Sequence, residues 1–388
     1  MQTDVAAVPC RVMQVSRVRM NPYVGLLQQA LRGVGIACSM ADGLSPRLVQ
    51  SWQGTVDIVH VHWLELLYAA PRRSSNVRRL CAVLGGLAWV KAVGLKLVCT
   101  AHNLEPHERP FPALERPVGP QYPVYGAKTR SGALRRGGTF RLANRTLFAL
   151  ADAVHVHDQE AQRSLEAYYG RRARVYVIPH GSYIGAYPNN CTKQEARERL
   201  KLKQDALVFL SLGHIRRYKG VEDLVEAFHQ MADEACSLVI AGNVHDPSYA
   251  EELVTLTRDD PRIVTWLHYV HDTELQYFMN ACDVCVLPYH EVTTSGAAIL
   301  AFSFGRPIIA SGLGGFPELA GDGRGITYAP EAADSLLRAL QQARAWDTVA
   351  AGARALRWAQ GHQWPGLAPE FARMYEDVLR TRRGSFQP

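Results

Sequence analysis

The sequence lacks an apolar stretch long enough to cross a membrane. The longest, residues 80–90, is interrupted by Lys91, whereas a membrane-spanning helix needs roughly 20 apolar residues. The N-terminus also lacks the charged-then-apolar layout of a secretory signal peptide. We therefore expect a cytoplasmic protein without a membrane span.

Patterns typical of metal and nucleic-acid binding are also missing. Cys282 and Cys285 form one Cys-x-x-Cys, but no second pair completes a zinc site. No Asp-x-Asp motif, helix-turn-helix, RNP or zinc-finger pattern is evident in the sequence. The net charge of +7 and the pI near 9.0 nevertheless indicate an anionic partner. We expect no metal, no cofactor and no nucleic acid.

What the sequence does have is a regular alternation of short β-branched runs and longer helical patterns. With 388 residues, 47% of them hydrophobic and 20% charged, the chain is long enough for two domains and too apolar to be disordered. The alternation is typical of parallel sheets with crossover helices. Strands are predicted at residues 11–15, 58–62, 97–100, 153–157, 174–178, 207–212, 237–241, 263–266, 284–287 and 307–310.

These strands favour an α/β fold with two Rossmann-like, doubly wound domains. A segment with Gly, Pro, Tyr and Asn but no periodicity interrupts the pattern at residues 182–190. We predict an N-terminal domain over 1–182 and a linker with the first helix of the second half over 183–205. A second domain follows over 206–360, and a final helix within 361–388 is expected to cross back to the first domain.

The most informative motif follows the first strand of the second half. This strand ends at Gly213, and the turn behind it carries Arg216 and Lys219. Open α/β folds bind their ligands at the carboxyl edge of the sheet, where these two cations would lie. A guanidinium makes forked contacts to phosphate oxygens and Lys adds a point charge, so the turn predicts a diphosphate site.

A second strand, loop and helix, over residues 287–298, offers another anion site. Thr294, Ser295 and Gly296 place backbone N–H groups at a helix N-terminus, and Gly lets a ligand approach closely. Ser and Thr also cap helices that bind nothing, so this segment alone would predict an ordinary cap. Combined with the basic turn, it predicts that the helix end also binds the diphosphate.

Together the two segments resemble the donor-binding half of the nucleotide-sugar glycosyltransferases with two Rossmann-like domains, the GT-B type. GHIRRYKG at 213–220 matches their Gly-x-x-Arg-x-x-Lys-Gly turn, and SGAAILAFSFGRPIIAS at 295–311 matches the helix and strand after their donor loop. The resemblance implies two domains that face each other across a cleft. Retaining members carry Glu-x7-Glu here, but in this chain the first position falls at or next to Glu291 and the second is Leu300. We therefore expect inversion, with Glu291 near the donor.

Other pieces are closer to the xanthan-type GDP-mannose:glycolipid β-1,4-mannosyltransferase family. The matching pieces are NPY at 21–23, HVHWLE at 60–65 and TAHNLEPHE at 100–108. This resemblance implies a hexosyltransferase that moves mannose from GDP-mannose to a polyprenyl-diphosphate-linked saccharide in bacterial exopolysaccharide biosynthesis. A UDP-sugar-dependent glucosyl- or glucuronosyltransferase is the alternative within the class. A non-catalytic sugar-nucleotide sensor and a nucleic-acid-binding protein are the alternatives from other classes.

The first half carries polar residues where its strands end, but no phosphate-binding loop. No Gly-x-Gly-x-x-Gly follows the first strand, where Asn21 and Tyr23 stand instead, so this half is expected to bind the acceptor. His62 and Trp63 end another strand and offer an aromatic plane for a sugar ring. The predicted acceptor-binding residues are Asn21, Tyr23, His62, Trp63 and Asn103.

An inverting displacement needs a proton acceptor, and the loop after strand 97–100 offers several. His102 follows the strand most directly, and an imidazole accepts a proton near neutral pH without a large pKa shift. We predict His102 as the catalytic base, with Glu108 second and Glu65 as a further rival. His155 and His157 are expected only to line their strand.

Residues 109–145 break the regular alternation. Between Arg109 and Arg145 lie six Lys or Arg residues against the single acid Glu115, with Pro, Gly, Tyr and Phe interleaved. Basic and aromatic residues together suit an anionic membrane surface or a phosphate-bearing ligand, although a solvated loop would have the same composition. We expect peripheral binding at the inner face of the cytoplasmic membrane.

Overall fold

A computed structural model of the chain describes residues 10–69, 73–104 and 133–381. The chain divides into one compact unit of Met1–Gly181 with Trp364–Pro388 and a second unit of Ser182–Gln363. Each unit is built around its own six-stranded sheet. Among the described residues, no helix combines the length and the apolar character needed to cross a membrane.

The first unit is an α/β unit whose strands run parallel in the order β2-β1-β3-β4-β5-β6. The strands are β1 (Arg11–Val15), β2 (Ala37–Ala41), β3 (Ile58–His62), β4 (Lys96–Thr100), β5 (Ala153–Val156) and β6 (Val175–Val177). The helices are α1 (Tyr23–Gly33), α2 (Pro46–Trp52), α3 (Leu64–Tyr68), α4 (Arg73–Ala92), α5 (Ala133–Leu150) and α6 (Gln159–Tyr169).

The central strands of this sheet are buried on both faces, and one face carries polar side chains toward its carboxyl edge. Every residue of β3, whose sequence is IVHVH, is buried. Because side chains alternate along a strand, Val59 and Val61 join the apolar core on one side, while His60 and His62 point to the other. Thr100 lies beside His62 in the register between β3 and β4. The sheet therefore has a row of polar side chains in its interior.

The second unit repeats the architecture with strand order β12-β11-β10-β7-β8-β9, again parallel. Its strands are β7 (Leu207–Leu212), β8 (Cys236–Ala241), β9 (Ile263–Trp266), β10 (Val284–Leu287), β11 (Ile308–Ser311) and β12 (Gly325–Tyr328). Its helices are α7 (Lys193–Arg199), α8 (Val221–His229), α9 (Pro247–Thr257), α10 (Leu275–Ala281), α11 (Gly296–Ser303), α12 (Phe316–Ala320), α13 (Ser335–Gln342) and α14 (Thr348–Gly361).

The last helix, α15 (Trp364–Arg380), belongs to the first unit. Its buried positions recur every three or four residues, from Trp364 through Phe371 to Tyr375 and Val378, which is the pattern of a helix with one apolar face. That face packs in the same core as α1 and the polar side of the first sheet.

The strand prediction missed the edge strand β2. Its sequence, ACSMA, has no β-branched residue, and only Cys38 of the five is buried. An edge strand is less buried than a central strand, so its sequence carries less of the β-branched enrichment that marks buried strands. The other omission, β12, is also an edge strand; its four residues begin with Gly325.

Candidate functional site

The basic turn of the second unit joins β7 to α8 and is held by glycines. Gly213 directly follows β7 and has a φ of 124°, and a Cβ added to Gly242, directly after the neighbouring β8, would lie 1.7 Å from the Gly213 carbonyl oxygen. A Cβ on Gly220 would lie 2.1 Å from the carbonyl oxygen of Pro288. Since neither contact is possible for a side chain, only glycine lets these backbones pack so closely.

The same turn is hydrogen-bonded to the segment that follows β10. The backbone N–H of His290 donates to the Tyr218 carbonyl oxygen at 2.7 Å, and the His290 imidazole lies 2.6 Å from the Asp223 carboxylate. The structure therefore brings together the two segments from which the sequence predicted a diphosphate site.

The cations of the turn lie in different surroundings. Arg217 is paired with Glu252 at 2.6 Å and covers the Tyr249 ring, whereas Lys219 lies 5.1 Å from the centroid of the Tyr289 ring. Although His214 keeps solvent contact, the surrounding protein lowers its pKa, and the positive charges of Arg216 and Lys219 lower it further. Arg216 and Lys219 are therefore both close enough to His214 to act on its charge.

The helix end predicted from Thr294, Ser295 and Gly296 is present. Ser295 is the N-cap of α11, and its hydroxyl accepts a hydrogen bond from the Ala298 N–H at 3.3 Å. Ser295 is buried, Thr294 is half-buried and Glu291 is exposed. Ser295 thus performs the capping role that its residue type allows, and the diphosphate contacts of this helix end remain a prediction.

In the first unit, the polar face of the sheet gathers six buried histidines. They are His60, His62, His102, His155, His157 and His180. Tyr23 lies among them, fully buried, with its ring centroid 4.9–5.7 Å from those of six rings: His62, Trp63, His102, His157, His180 and Trp364. None of the described His, Cys, Asp and Glu side chains form a group of three or more that could hold a metal ion.

His102 lies at the carboxyl end of β4, in contact with two other predicted site residues. Its ring stacks on Trp63 with centroids 3.8 Å apart and planes 8° apart, and its Nε2 is 3.2 Å from Nδ1 of His62. Trp63 has a φ of 45°, which a bulky residue rarely adopts. The stacked pair thus coincides with a strained backbone position at the sheet edge.

The expectation that His102 needs no large pKa shift is wrong. Burial lowers its pKa well below the ordinary value, and the neighbouring histidines, His157 first, lower it further. The imidazole is therefore neutral throughout the neutral pH range, and it is a weaker base than a solvent-exposed histidine. Its nitrogens can still accept a hydrogen bond from a hydroxyl group.

Two other predicted residues of this unit, Asn21 and Asn103, form hydrogen bonds to neighbouring groups. The Asn21 side-chain oxygen accepts a hydrogen bond from the Tyr23 N–H at 2.9 Å, at the start of α1. Asn103 donates to the Glu65 carboxylate at 2.6 Å; burial raises the pKa of Glu65, while this bond opposes the rise. Glu108 lies outside the described residues.

The sequence missed several residues of this cluster. His157 lies just beyond β5, and both of its ring nitrogens are buried without a hydrogen-bond partner among the described residues. His180 and Trp364 come from distant parts of the first unit. The signal that could have found His157 is the His-x-His spacing at 60–62 and 155–157, which places polar side chains on one face of two buried strands.

The buried histidines predict an acid-sensitive first unit. Burial lowers the pKa of His62 to about 3 and those of His155 and His180 to about 4. The unfolded chain binds these protons near pH 6.5, so stability is fully present above that pH and is lost as the pH falls toward the folded pKa. One imidazole with a folded pKa of about 4 lowers the free energy of unfolding by about 2 kcal/mol at pH 5, relative to its value above pH 6.5.

Urea unfolding between pH 7.5 and 5.5 measures this effect. His180→Gln should reduce the slope of the unfolding free energy against pH by up to about 1.4 kcal/mol per pH unit, which corresponds to one proton bound on unfolding. The exposed His268→Gln should leave it unchanged. A free energy that does not fall below pH 6.5 would contradict the buried, neutral state of the cluster.

Comparison with known proteins relates both units to glycosyl transfer. The family profile described as "Glycosyl transferases group 1" matches residues 206–345. A GDP-mannose:glycolipid 4-beta-D-mannosyltransferase of Xanthomonas campestris pv. campestris is 28% identical over 297 residues, covering 75% of this chain and 69% of that protein. A D-inositol 3-phosphate glycosyltransferase of Kineococcus radiotolerans is 24% identical and covers 95% of this chain and 82% of that protein.

Solved structures share the fold at lower identity. Sucrose-phosphate synthase from Thermosynechococcus elongatus superposes with a TM-score of 0.71 at 18% identity, covering 95% of this chain and 99% of that one. Anabaena HepE in complex with UDP-glucose superposes with a TM-score of 0.68 at 15% identity, covering 95% and 99%. The profile, the relatives and the two parallel sheets agree with one another: residues 206–345 carry a group 1 glycosyl transferase domain, the chain has the GT-B fold, and its enzyme class is that of the hexosyltransferases.

Proposed function

We propose that the protein transfers mannose from GDP-mannose, with inversion, to a lipid-linked oligosaccharide in bacterial exopolysaccharide biosynthesis. The observation that carries this proposal is the 28% identity, over 75% of the chain, to a protein named as a GDP-mannose:glycolipid mannosyltransferase. The motifs of both units fall within the same resemblance, and Leu300 in place of a second Glu favours inversion.

In this proposal the second unit holds the donor. Arg216 and Lys219 bind the diphosphate, and the N-terminus of α11 at Ser295 and Gly296 binds it from a second segment. Their positive charge stabilises the negative charge that develops on the departing nucleoside diphosphate, and such fixed electrostatic groups are usually the largest contribution to catalysis. The adjoining position of the basic turn and the 288–290 segment supports this assignment.

The first unit binds the acceptor. His102 accepts the hydrogen of the attacking hydroxyl, and Trp63 and Asn103 border the sugar. The lowered pKa of His102 keeps its imidazole unprotonated across the neutral range, so the pH profile of kcat should show no loss from protonation of His102 down to pH 6. Glu108 is the other candidate for this role.

A thermal-shift panel of GDP-mannose, UDP-glucose, UDP-glucuronate and GDP tests the donor. A ligand at a hundredfold excess over its Kd stabilises the folded state by about 2.7 kcal/mol. The proposal predicts that GDP-mannose and GDP raise the Tm while both UDP-sugars leave it unchanged. A rise with a UDP-sugar alone would make the protein a UDP-sugar-dependent transferase instead.

Peripheral membrane binding is part of the proposal. The segment 109–145 lies mostly outside the described residues, but its end on α5 exposes Arg141, Leu142 and Arg145. Each cation near an anionic surface is worth about 1 kcal/mol, so Arg141→Gln with Arg145→Gln should weaken binding to phosphatidylglycerol vesicles by roughly 30-fold at low salt. Arg338→Gln with Arg357→Gln, at two exposed arginines of the second unit, is the control of equal charge. Sedimentation that is absent in the wild type, or insensitive to salt, contradicts the proposal.

A further inference from the structure

A continuous chain of buried hydrogen bonds crosses the first sheet and ends at His102. It starts at the Ile178 carbonyl oxygen, which lies 2.8 Å from Nε2 of His155. Nδ1 of His155 is 3.0 Å from the Thr100 hydroxyl, which is 2.9 Å from Nε2 of His60. Nδ1 of His60 is 2.7 Å from the Tyr375 hydroxyl.

The chain of hydrogen bonds continues through Gln14 of β1. The Tyr375 hydroxyl oxygen is 3.4 Å from Nε2 of Gln14, and Oε1 of Gln14 is 2.7 Å from Nε2 of His62. Nδ1 of His62 is then 3.2 Å from Nε2 of His102. The members between the two ends are almost fully buried: Gln14, His60, His62 and His155 have no exposed surface, and Thr100 is 4% exposed.

The direction of every bond follows from the first one. A carbonyl oxygen only accepts, so His155 carries its proton on Nε2. Burial lowers the pKa of His155 to about 4, so its Nδ1 is bare and accepts the Thr100 hydroxyl proton. The Thr100 oxygen must then accept from Nε2–H of His60, whose pKa is also lowered by burial.

The directions of the remaining hydrogen bonds, from His60 to His62, follow in the same way. Nδ1 of His60 is bare and accepts the Tyr375 hydroxyl proton, because burial keeps the tyrosine protonated by raising its pKa. The Tyr375 oxygen accepts from the Gln14 amide, which turns the Gln14 carbonyl toward His62. His62 then donates through Nε2 and accepts through Nδ1. Reversing the chain would require a second proton on His155.

We propose that this chain, with Tyr375 and Thr100 as positioning residues, fixes His102 in the Nε2–H tautomer and thereby makes Nδ1 the nitrogen that accepts the hydrogen of the attacking hydroxyl. The catalytic role of His102 in this proposal rests on the proposed function, whereas its tautomer depends only on the chain of hydrogen bonds. The helix α15 thus acts on His102 through the Tyr375 hydroxyl.

Long-range ¹H–¹⁵N NMR of the full chain, with ¹⁵N-labelled histidine, reports the tautomer because protonated and bare ring nitrogens resonate far apart. His102→Asn assigns the His102 signals. The wild type should show Nε2–H and bare Nδ1. Tyr375→Phe and Thr100→Val each remove one hydroxyl, and each should produce signals of both His102 tautomers. Thr257→Val, which removes a buried hydroxyl bonded to Leu253 in the second unit, should leave them unchanged.

The outcomes separate the two proposals. Turnover in Tyr375→Phe should fall by the same fraction as the Nε2–H population, with donor binding unchanged. His102 signals that show Nδ1–H in the wild type, or one unchanged tautomer in both variants, would contradict the proposal that the hydrogen-bond chain fixes the tautomer of His102. A tautomer shift with unchanged turnover would support the chain and remove His102 from the proposed reaction.

Discussion

Alanine at both Arg216 and Lys219 is expected to lower the affinity for GDP-mannose by roughly 10²–10⁴-fold. A hydrogen bond to a charged group contributes about 1.5–3 kcal/mol, and two such contacts to the diphosphate are lost together. The loss should be nearly the same for GDP as for GDP-mannose, because the proposed contacts of the two cations are to the phosphates and not to the sugar. Isothermal titration of both ligands measures it.

Arg217→Ala is the matched control for this experiment. Arg217 stands between the other two cations in the sequence, but it pairs with Glu252 and covers Tyr249. Its loss removes one positive charge from the same turn, as either single replacement at Arg216 or Lys219 does, without removing a predicted phosphate contact, so nucleotide affinity should change much less. Unchanged affinity in the double variant, or an equal loss in Arg217→Ala, would remove the diphosphate from the Arg216 and Lys219 side chains.

His102→Asn is expected to lower kcat by roughly 10²–10⁴-fold, the usual scale for losing a proton acceptor, while GDP-mannose still binds. His102 belongs to the first unit and the proposed donor site to the second, so the two effects should separate. Single-turnover transfer, with titration of GDP-mannose in parallel, measures both quantities.

Glu108→Gln is the comparison that locates the role. Near-normal turnover in His102→Asn, alongside a collapse in Glu108→Gln, would transfer the proton acceptor to Glu108. Turnover that survives in both variants would place the proton acceptor outside the loop at residues 100–108. An unchanged urea midpoint shows that neither variant acts through misfolding of the first unit.

The fold was predictable because burial on both faces leaves a strong sequence signal. The runs at β3, β7 and β10 are short, rich in Val, Ile and Leu, and buried along almost their whole length, so the sequence alone locates them. Edge strands carry less of this signal, which is why ACSMA of β2 was missed. The turn at 213–220 was also predictable, since its glycines and cations are adjacent in the sequence.

The cluster around His102 could not be predicted, because its members are distant in the sequence. Tyr375 and Trp364 meet the histidines only because α15 returns to the first unit. The pKa of His102 likewise depends on burial and on histidines that are distant in the sequence, His157 first, and the sequence next to His102 carries no sign of it. His157 appeared to be a strand-lining residue for the same reason.

Transfer of radiolabelled mannose from GDP-mannose to a bacterial glycolipid fraction measures the proposed activity itself. We expect that label enters the lipid phase, that the new linkage is β by NMR of the released saccharide, and that transfer is lost in the Arg216→Ala and Lys219→Ala double variant while it persists in Arg217→Ala. Label that stays in the aqueous phase in the wild type, or an α linkage in the product, would contradict the proposed activity.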